Sequence, residues 1–208
     1  MKAPIVGVDF DNTLVTYDRL IHQTAVERRL IDPATPANKR EVRDRIRLLP
    51  DGEVEWQKLQ GLVYGPLMSR AELLPGAAEF VRACRAHGWR VYIVSHKTEF
   101  AGYDDTRTNL RDAARAWMTA RAFFEPAGLG LNPHDVFFEG TRDAKIERIA
   151  SLGCTHFIDD LEEVFSEPSF PAATERFLLS QRSALPDDRI HVVNDWSVLR
   201  DYFFGAHA

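Results

Sequence analysis

Two stretches of this chain end an apolar run in a pair of acids. One is Ile5-Val6-Gly7-Val8-Asp9-Phe10-Asp11, and the other is His156-Phe157-Ile158-Asp159-Asp160. A short apolar run bounded by turn-forming residues reads as a strand buried on both faces. Side chains alternate along a strand, so Asp9 and Asp11 point the same way. Two carboxylates so placed repel each other. That cost persists only where a cation binds them or one keeps a proton. The competing structural explanation of the first stretch is a turn in which Asp11 and Asn12 bond their own backbone. Two strands of one domain, each finishing in paired acids, are harder to explain that way. Four carboxylates brought together would be strongly destabilised, and a hard divalent cation with oxygen ligands resolves the conflict.

Other residues stand where an anion would meet such a cluster. Lys145 falls in the first turn of a helix opened by Gly140-Thr141, where the backbone dipole disfavours a cation. Arg142 and Lys97 are competing cations. Ser95 closes the apolar run Trp89-Arg90-Val91-Tyr92-Ile93-Val94. A small hydroxyl at a strand's carboxyl end holds an anionic oxygen without crowding it. His96, Lys97 and Thr98 follow directly. Glu162 and Glu163 read as first-turn acids that satisfy a helix dipole.

The elements that must position these residues alternate between strand and helix. Helix Ala77 to His87, stopped by Gly88, leads into strand 89–95, as in a βαβ unit with a parallel sheet. Val136-Phe137-Phe138 is a third strand. A helix follows it to about Leu152, then comes the second acidic strand. Phe177–Ser180 and Ile190–Val193 read as the last strands, before a final helix capped by Asn194 or Asp195. In open α/β sheets, ligands gather beyond the carboxyl ends of the strands.

Residues 16–72 break this rhythm, because they hold no good strand. Ile21, Ala25 and Leu30 are helically spaced. Thr35-Pro36 reads as the N-cap and first position of a second helix with the stripe Val42, Ile46, Leu49, stopped at Pro50-Asp51-Gly52. Trp56, Leu59 and Val63 mark a third helix. The expected fold is therefore α/β, a Rossmann-like parallel sheet flanked by helices, with a small all-helical insertion. The core is 1–15 and 73–208, and the insertion is 16–72. The insertion carries Arg28, Arg29, Lys39, Arg40, Arg43, Arg45 and Arg47. The favoured reading is a solvated face with i, i+4 pairs such as Glu41–Arg45, over a basic face for an anionic ligand. Trp56 and Tyr64 read as core, and each histidine as structural or surface.

Taken together, Asp9-x-Asp11-x-Thr13, strand-terminal Ser95, helical Lys145 and Asp159-Asp160 resemble the four motifs of the haloacid dehalogenase (HAD) superfamily of phosphohydrolases, in order. The resemblance covers nearly the whole chain. It implies a HAD-like core with a helical cap between the first and second motifs, where caps close over the phosphate site and choose the substrate. It also implies two-step phosphoryl transfer. Asp9 attacks phosphorus, Asp11 serves as general acid and then base, and Ser95 and Lys145 bind the transferring oxygens, with His96 and Lys97 close by. Mg²⁺ is implied as cofactor, held by Asp9, the Asp11 carbonyl and Asp160, with Asp159 directly or through water. The family's dehalogenases lack an acid two residues after the nucleophile, so Asp11 argues for a phosphatase acting on a small phosphomonoester such as a sugar phosphate or nucleotide. The alternatives are a phosphotransferase or phosphomutase on the same scaffold, and a non-catalytic binding module, whose mark would be a lost motif acid.

Composition limits the partners. A chain of 208 residues with 45% hydrophobic and 27% charged content is that of a soluble globular protein. Its net charge of −5 gives no reason to expect nucleic acid. No apolar run approaches the roughly 18 residues of a membrane span, so no membrane partner is expected. The first strand begins close to Met1, so no secretory leader is expected. The two cysteines, Cys84 and Cys154, read as reduced thiols of a cytoplasmic protein. Nothing in the sequence specifies an oligomeric state.

Overall fold

The apolar run Ile5–Val8 forms strand β1, with Val6 and Val8 fully buried. β2 (Val15–Thr16) and β3 (Glu72–Leu73) pair in a short two-stranded sheet. The computed structural model describes residues 3–103, 106–182 and 187–205. By contacts the chain divides into two units: Met1–Val15, Leu73–Lys97 and Ala122–Ala208 make the first, and Thr16–Glu72 with Thr98–Arg121 make the second.

The first unit holds a six-stranded sheet. Its remaining strands are β4 (Arg90–His96), β5 (Val136–Glu139), β6 (His156–Asp159), β7 (Glu175–Leu179) and β8 (Ile190–Val193). The order is β5-β4-β1-β6-β7-β8, and every pairing is parallel. Val8 lies opposite Ile93 on one side and Ile158 on the other. Strand order reverses at β1: the chain works outward through β4 and β5, then returns to build β6, β7 and β8. That reversal is the switch point where open α/β sheets bind ligands. The acids after β1 and at the end of β6, with Ser95 in β4, all fall at this place. The sequence reading of a parallel α/β sheet flanked by helices holds.

Helices cover the sheet's faces because each presents an apolar stripe. In chain order the α-helices among the described residues are α1 (Asp18–Glu27), α2 (Lys39–Ile46), α3 (Gly52–Tyr64), α4 (Ala77–Ala86), α5 (Leu110–Ala120), α6 (Arg142–Ser151), α7 (Glu162–Phe165) and α8 (Trp196–Phe204). α4 buries Phe80, Val81 and Cys84, and α6 buries Ile146 and Ile149. Ile149, Cys154, Phe157, Phe165 and Phe170 share one core cluster. Thr141 caps α6 by accepting from the Ala144 N–H, and Asp195, not Asn194, caps α8.

The second unit is helical. Trp117 of α5 donates its indole N–H to the Ala71 carbonyl at 2.9 Å, and the Arg121 guanidinium reaches the same oxygen at 2.6 Å. The boundary read from sequence leaves 98–121 with the α/β core. These long-range bonds group it with the helices instead. The start of α2 also differs. It begins at Lys39, because the Asn38 side chain accepts from the Glu41 N–H, which displaces the expected Thr35-Pro36 start. Leu49 falls past the helix end and is 37% exposed. The surface charges pair as Arg40–Asp44, Arg43–Asp44 and Arg47–Glu53 in place of Glu41–Arg45. In the polar stretch 99–108, Asp104 and Asp105 lie outside the described residues. Among the described residues no helix is long and apolar enough to cross a membrane.

Two predictions test the core beneath the acids. A Cβ at Gly7 would run into the Phe157 ring and sit 3.0 Å from Cys154 Sγ. Gly7→Ala should cost about 1–3 kcal/mol by denaturant titration; an unchanged midpoint would show that Phe157 yields freely. Burial pushes both thiols up to about 12. A thiol reagent should therefore label neither cysteine in the native chain, and rapid native labelling would show that this core opens.

Candidate active site

Asp9 leaves β1 with its backbone still tied to the sheet: its N–H donates to the Ile158 carbonyl at 2.9 Å. Its side chain is buried, as is that of Asp159 at the end of β6. Between them lies Lys145, carried in by the first turn of α6. Its ammonium donates to Asp9 Oδ1 and to Asp159 Oδ2, at 2.6 Å each. Lys145 is 1% exposed. Its misplacement against the helix dipole is thus offset by two charge-assisted bonds.

The electrostatics follow from burial. Loss of water pushes the Asp9 carboxyl up to about 7; Lys145 pulls against this, and Asp159 and Asp11 add to it. Burial alone would lower the Lys145 ammonium, but Asp159 and Asp9 outweigh it and raise it above the ordinary lysine range. One ammonium does not fully offset two buried carboxylates.

Asp160 joins the group from the next position. Thr13 Oγ1 donates to it at 3.4 Å, and the Leu161 N–H donates to Asp159 Oδ1 at 3.0 Å, which turns the chain after β6. Asp9, Asp159 and Asp160 each offer a carboxylate oxygen, all within 4.8 Å of one another. An all-oxygen, anionic donor set of this kind fits a hard cation such as Mg²⁺. Asp11 is not in this trio. Its two oxygens accept from Lys97 Nζ at 2.9 and 2.7 Å. At the end of β1 the acids outnumber the lysines that face them, which suits the place for a cation.

Ser95 is buried, and its hydroxyl has no hydrogen-bond partner among the described residues. A buried polar atom without a partner is costly, and here it stands at the switch point of the sheet. Burial alternates across the end of β4 and the residue after it: Ser95 and Lys97 are buried, and His96 between them is exposed. His96 is exposed, with Nε2 3.2 Å from the Gly140 carbonyl oxygen. It does not join the site residues it was grouped with from sequence. Arg142, the other competing cation, is drawn off by Glu167 at 2.9 Å.

Trp196 belongs to the site through a long-range contact alone. Its indole N–H donates to the Thr13 carbonyl at 2.9 Å across 183 positions and pins the turn after the first acids. The pairing of Lys97 with Asp11 was also missed; the signal was present in the burial side of the strand, since Lys97 alternates with His96.

No family model matches the sequence, and no curated protein sequence does. Solved structures do match, at low identity. A HAD family hydrolase from Deinococcus radiodurans R1, solved with bound phosphate and sodium, has a TM-score of 0.60 at 18% identity, over 98% of this chain and 96% of that one. A predicted phosphoglycolate phosphatase from Haemophilus somnus 129pt scores 0.52 at 14% identity, over 97% and 96%. An L-2-haloacid dehalogenase scores 0.52 at 13% identity, over 100% of both chains. The chain shares the fold of the HAD-superfamily hydrolases.

Lys145 gives the direct test of the charge balance. Lys145→Met leaves two buried carboxylates facing each other and should cost about 3–5 kcal/mol in metal-free buffer. A loss below about 1 kcal/mol would show that the acids are neutralised without the lysine.

Proposed function

We propose that this protein is a Mg²⁺-dependent phosphatase that hydrolyses a small phosphomonoester, such as a sugar phosphate or nucleotide, through an aspartyl phosphate on Asp9. The observation that carries this reading is the division of labour between two acids. Asp9 is buried against Lys145, while Asp11, two residues on, is 20% exposed and has a lysine of its own. A nucleophile and a separate proton carrier are what two-step phosphoryl transfer requires. The hydrolase fold supports the reading, and so does the phosphate bound to one structure of similar fold.

The residues would act in order. With Oδ1 held by Lys145, Asp9 attacks phosphorus through Oδ2. The new bond joins Asp9 to phosphorus, the bond to the leaving oxygen breaks, and Asp11, having taken up a proton from solvent before this step, gives that proton to the leaving oxygen. In the second step Asp11 takes a proton from water as the water oxygen attacks phosphorus. The bond to Asp9 breaks, inorganic phosphate leaves, and one water is consumed per ester. Mg²⁺, held by Asp9, Asp159 and Asp160, would cancel the charge that repels an anionic substrate from Asp9. Ser95 and Lys145 would hold the transferring oxygens.

The helical unit is read as a substrate-selecting cap. It carries a cleft of about 520 Å³ lined in part by Lys39, Arg43, Arg47, Trp56, Gln60 and Tyr64. This lining, taken by itself, suits a polar or anionic ligand.

The test is phosphate release from an aryl phosphate and from a panel of sugar phosphates and nucleotides, with and without Mg²⁺. Release should require the metal. Asp9→Asn should remove it by about 10⁴-fold or more, as loss of a nucleophile does, with the fold intact by circular dichroism. Full activity in Asp9→Asn would overturn the covalent mechanism. No release from any ester, with phosphate passed between sugars instead, would favour a transferase or mutase.

A further inference from the structure

We infer that Trp196, on the C-terminal helix α8, is a positioning residue for the cation trio of Asp9, Asp159 and Asp160. It acts through Thr13. Its indole N–H holds the Thr13 carbonyl, and so keeps the Thr13 hydroxyl within reach of Asp160. The inference rests on the reading that the trio holds Mg²⁺, and it is tested by metal binding, not by turnover.

The indole is fixed by its own neighbours. Asp195 caps α8 by accepting from the Ser197 and Val198 N–H groups at 2.7 and 3.0 Å, which sets Trp196 as the first residue of the helix. Trp196 is 1% exposed. Its ring centre lies 5.1 Å from that of Phe80 on α4. A Cβ at Gly76 would come within 2.9 Å of the Trp196 Cβ, so the absence of a side chain there makes room for it. Packing of this kind needs only a large apolar side chain, and phenylalanine would supply it. What phenylalanine lacks is the N–H. A buried indole N–H needs an acceptor, and this one reaches the Thr13 carbonyl at 2.9 Å.

Thr13 is fully buried and carries two bonds of unequal quality. Its carbonyl accepts from the indole at ordinary length, and has no other donor among the described residues. Its hydroxyl donates to Asp160 Oδ1 at 3.4 Å, beyond the usual range of a hydroxyl bond. A contact at that limit is made or lost by a small shift. The turn is closed by the Leu14 and Val15 N–H groups, which both donate to the Phe10 carbonyl at 3.0 and 3.1 Å. Neither bond restrains the Thr13 carbonyl. Without the indole N–H that buried oxygen lacks a donor, a cost the turn relieves by moving, and the hydroxyl moves with it. Asp160 has a further contact besides Thr13, so loss of the indole bond should weaken the metal without abolishing its binding.

Titration calorimetry of Mg²⁺ into the full chain tests this. Trp196→Phe should bind Mg²⁺ about 10-fold more weakly, the low end of what removing a ligand-orienting group costs. Phe80→Leu loses ring packing on the same indole but keeps the N–H. It should lower the melting temperature and leave Mg²⁺ affinity unchanged, which separates positioning from stability. Thr13→Val should weaken Mg²⁺ as well, and Trp196→Phe should then add no further loss. Unchanged affinity in Trp196→Phe, an equal loss with and without the Thr13 hydroxyl, or as large a loss in Phe80→Leu overturns the inference. Should Trp196→Phe fail to fold, exchange of the wild-type indole protons answers the same question. Coupling is reciprocal, so Mg²⁺ must slow exchange at Trp196 more than at Trp117, whose indole acceptor is Ala71 in the helical unit. Equal slowing overturns it. A wild-type chain that binds no Mg²⁺ overturns this inference together with the metal reading. A chain that shows the coupling, yet turns over no phosphomonoester, retains the inference and loses the phosphatase reading.

Discussion

The structure depends on one buried contact, the Lys145 ammonium held between Asp9 and Asp159 at 2.6 Å on each side. None of the three is stable in that place alone, since an unpaired charge out of water costs several kcal/mol. Together they force the carboxyl ends of β1 and β6 to lie side by side, with the first turn of α6 above them. The sheet order meets this demand by placing β1 between β4 and β6. Gly7 allows Phe157 to pack against β1 just below the acids, and the Phe157 ring centre lies 5.4 Å from the ammonium. The ring gives the cation a face to rest on, while excluding the water that would weaken its two ion pairs.

The two edges of β1 carry different chemistry. On the β6 side stand acids, with three carboxylates close enough to share a cation. On the β4 side stand a hydroxyl and a lysine. An anion that approaches the end of β1 meets repulsion from one side and donors from the other. Donors and acceptors fixed in this way are how preorganised sites lower a barrier. The two lysines divide the work by their surroundings. Lys145 is held between two buried carboxylates, whereas Lys97 pairs with Asp11, whose side chain is 20% exposed.

The parts of this site legible in the sequence were local. An apolar run ending in acids needs only alternation and burial to be read, so Asp9, Asp11, Asp159 and Asp160 stood out. Lys145 was visible as a cation at the wrong end of a helix. What stayed hidden was set by long-range contacts. Residues 98–121 join the helical unit through Trp117 and Arg121, which reach back to Ala71. The start of α2 was decided by the Asn38 side chain over a Pro-led alternative that scores well on propensity alone. His96 was grouped with its neighbours by position in the chain, but a strand sends neighbours to opposite sides. Trp196 carries no local signal at all, because its role is created by a partner 183 residues away.

A fold shared by phosphatases and dehalogenases does not choose between their chemistries, and the site must. Charge supplies the argument here. A carbon–halogen bond brings no charge to the site and needs no proton on its leaving group. A site built for it has no use for a second acid, and none for a second buried ammonium to balance that acid. This site has both, in Asp11 and Lys97, and burying them costs stability. On the function proposed above, a phosphomonoester makes each of them useful. Its oxygens arrive charged, so buried ammoniums and a hard cation attract it, and its leaving oxygen departs as a strong base unless it is protonated.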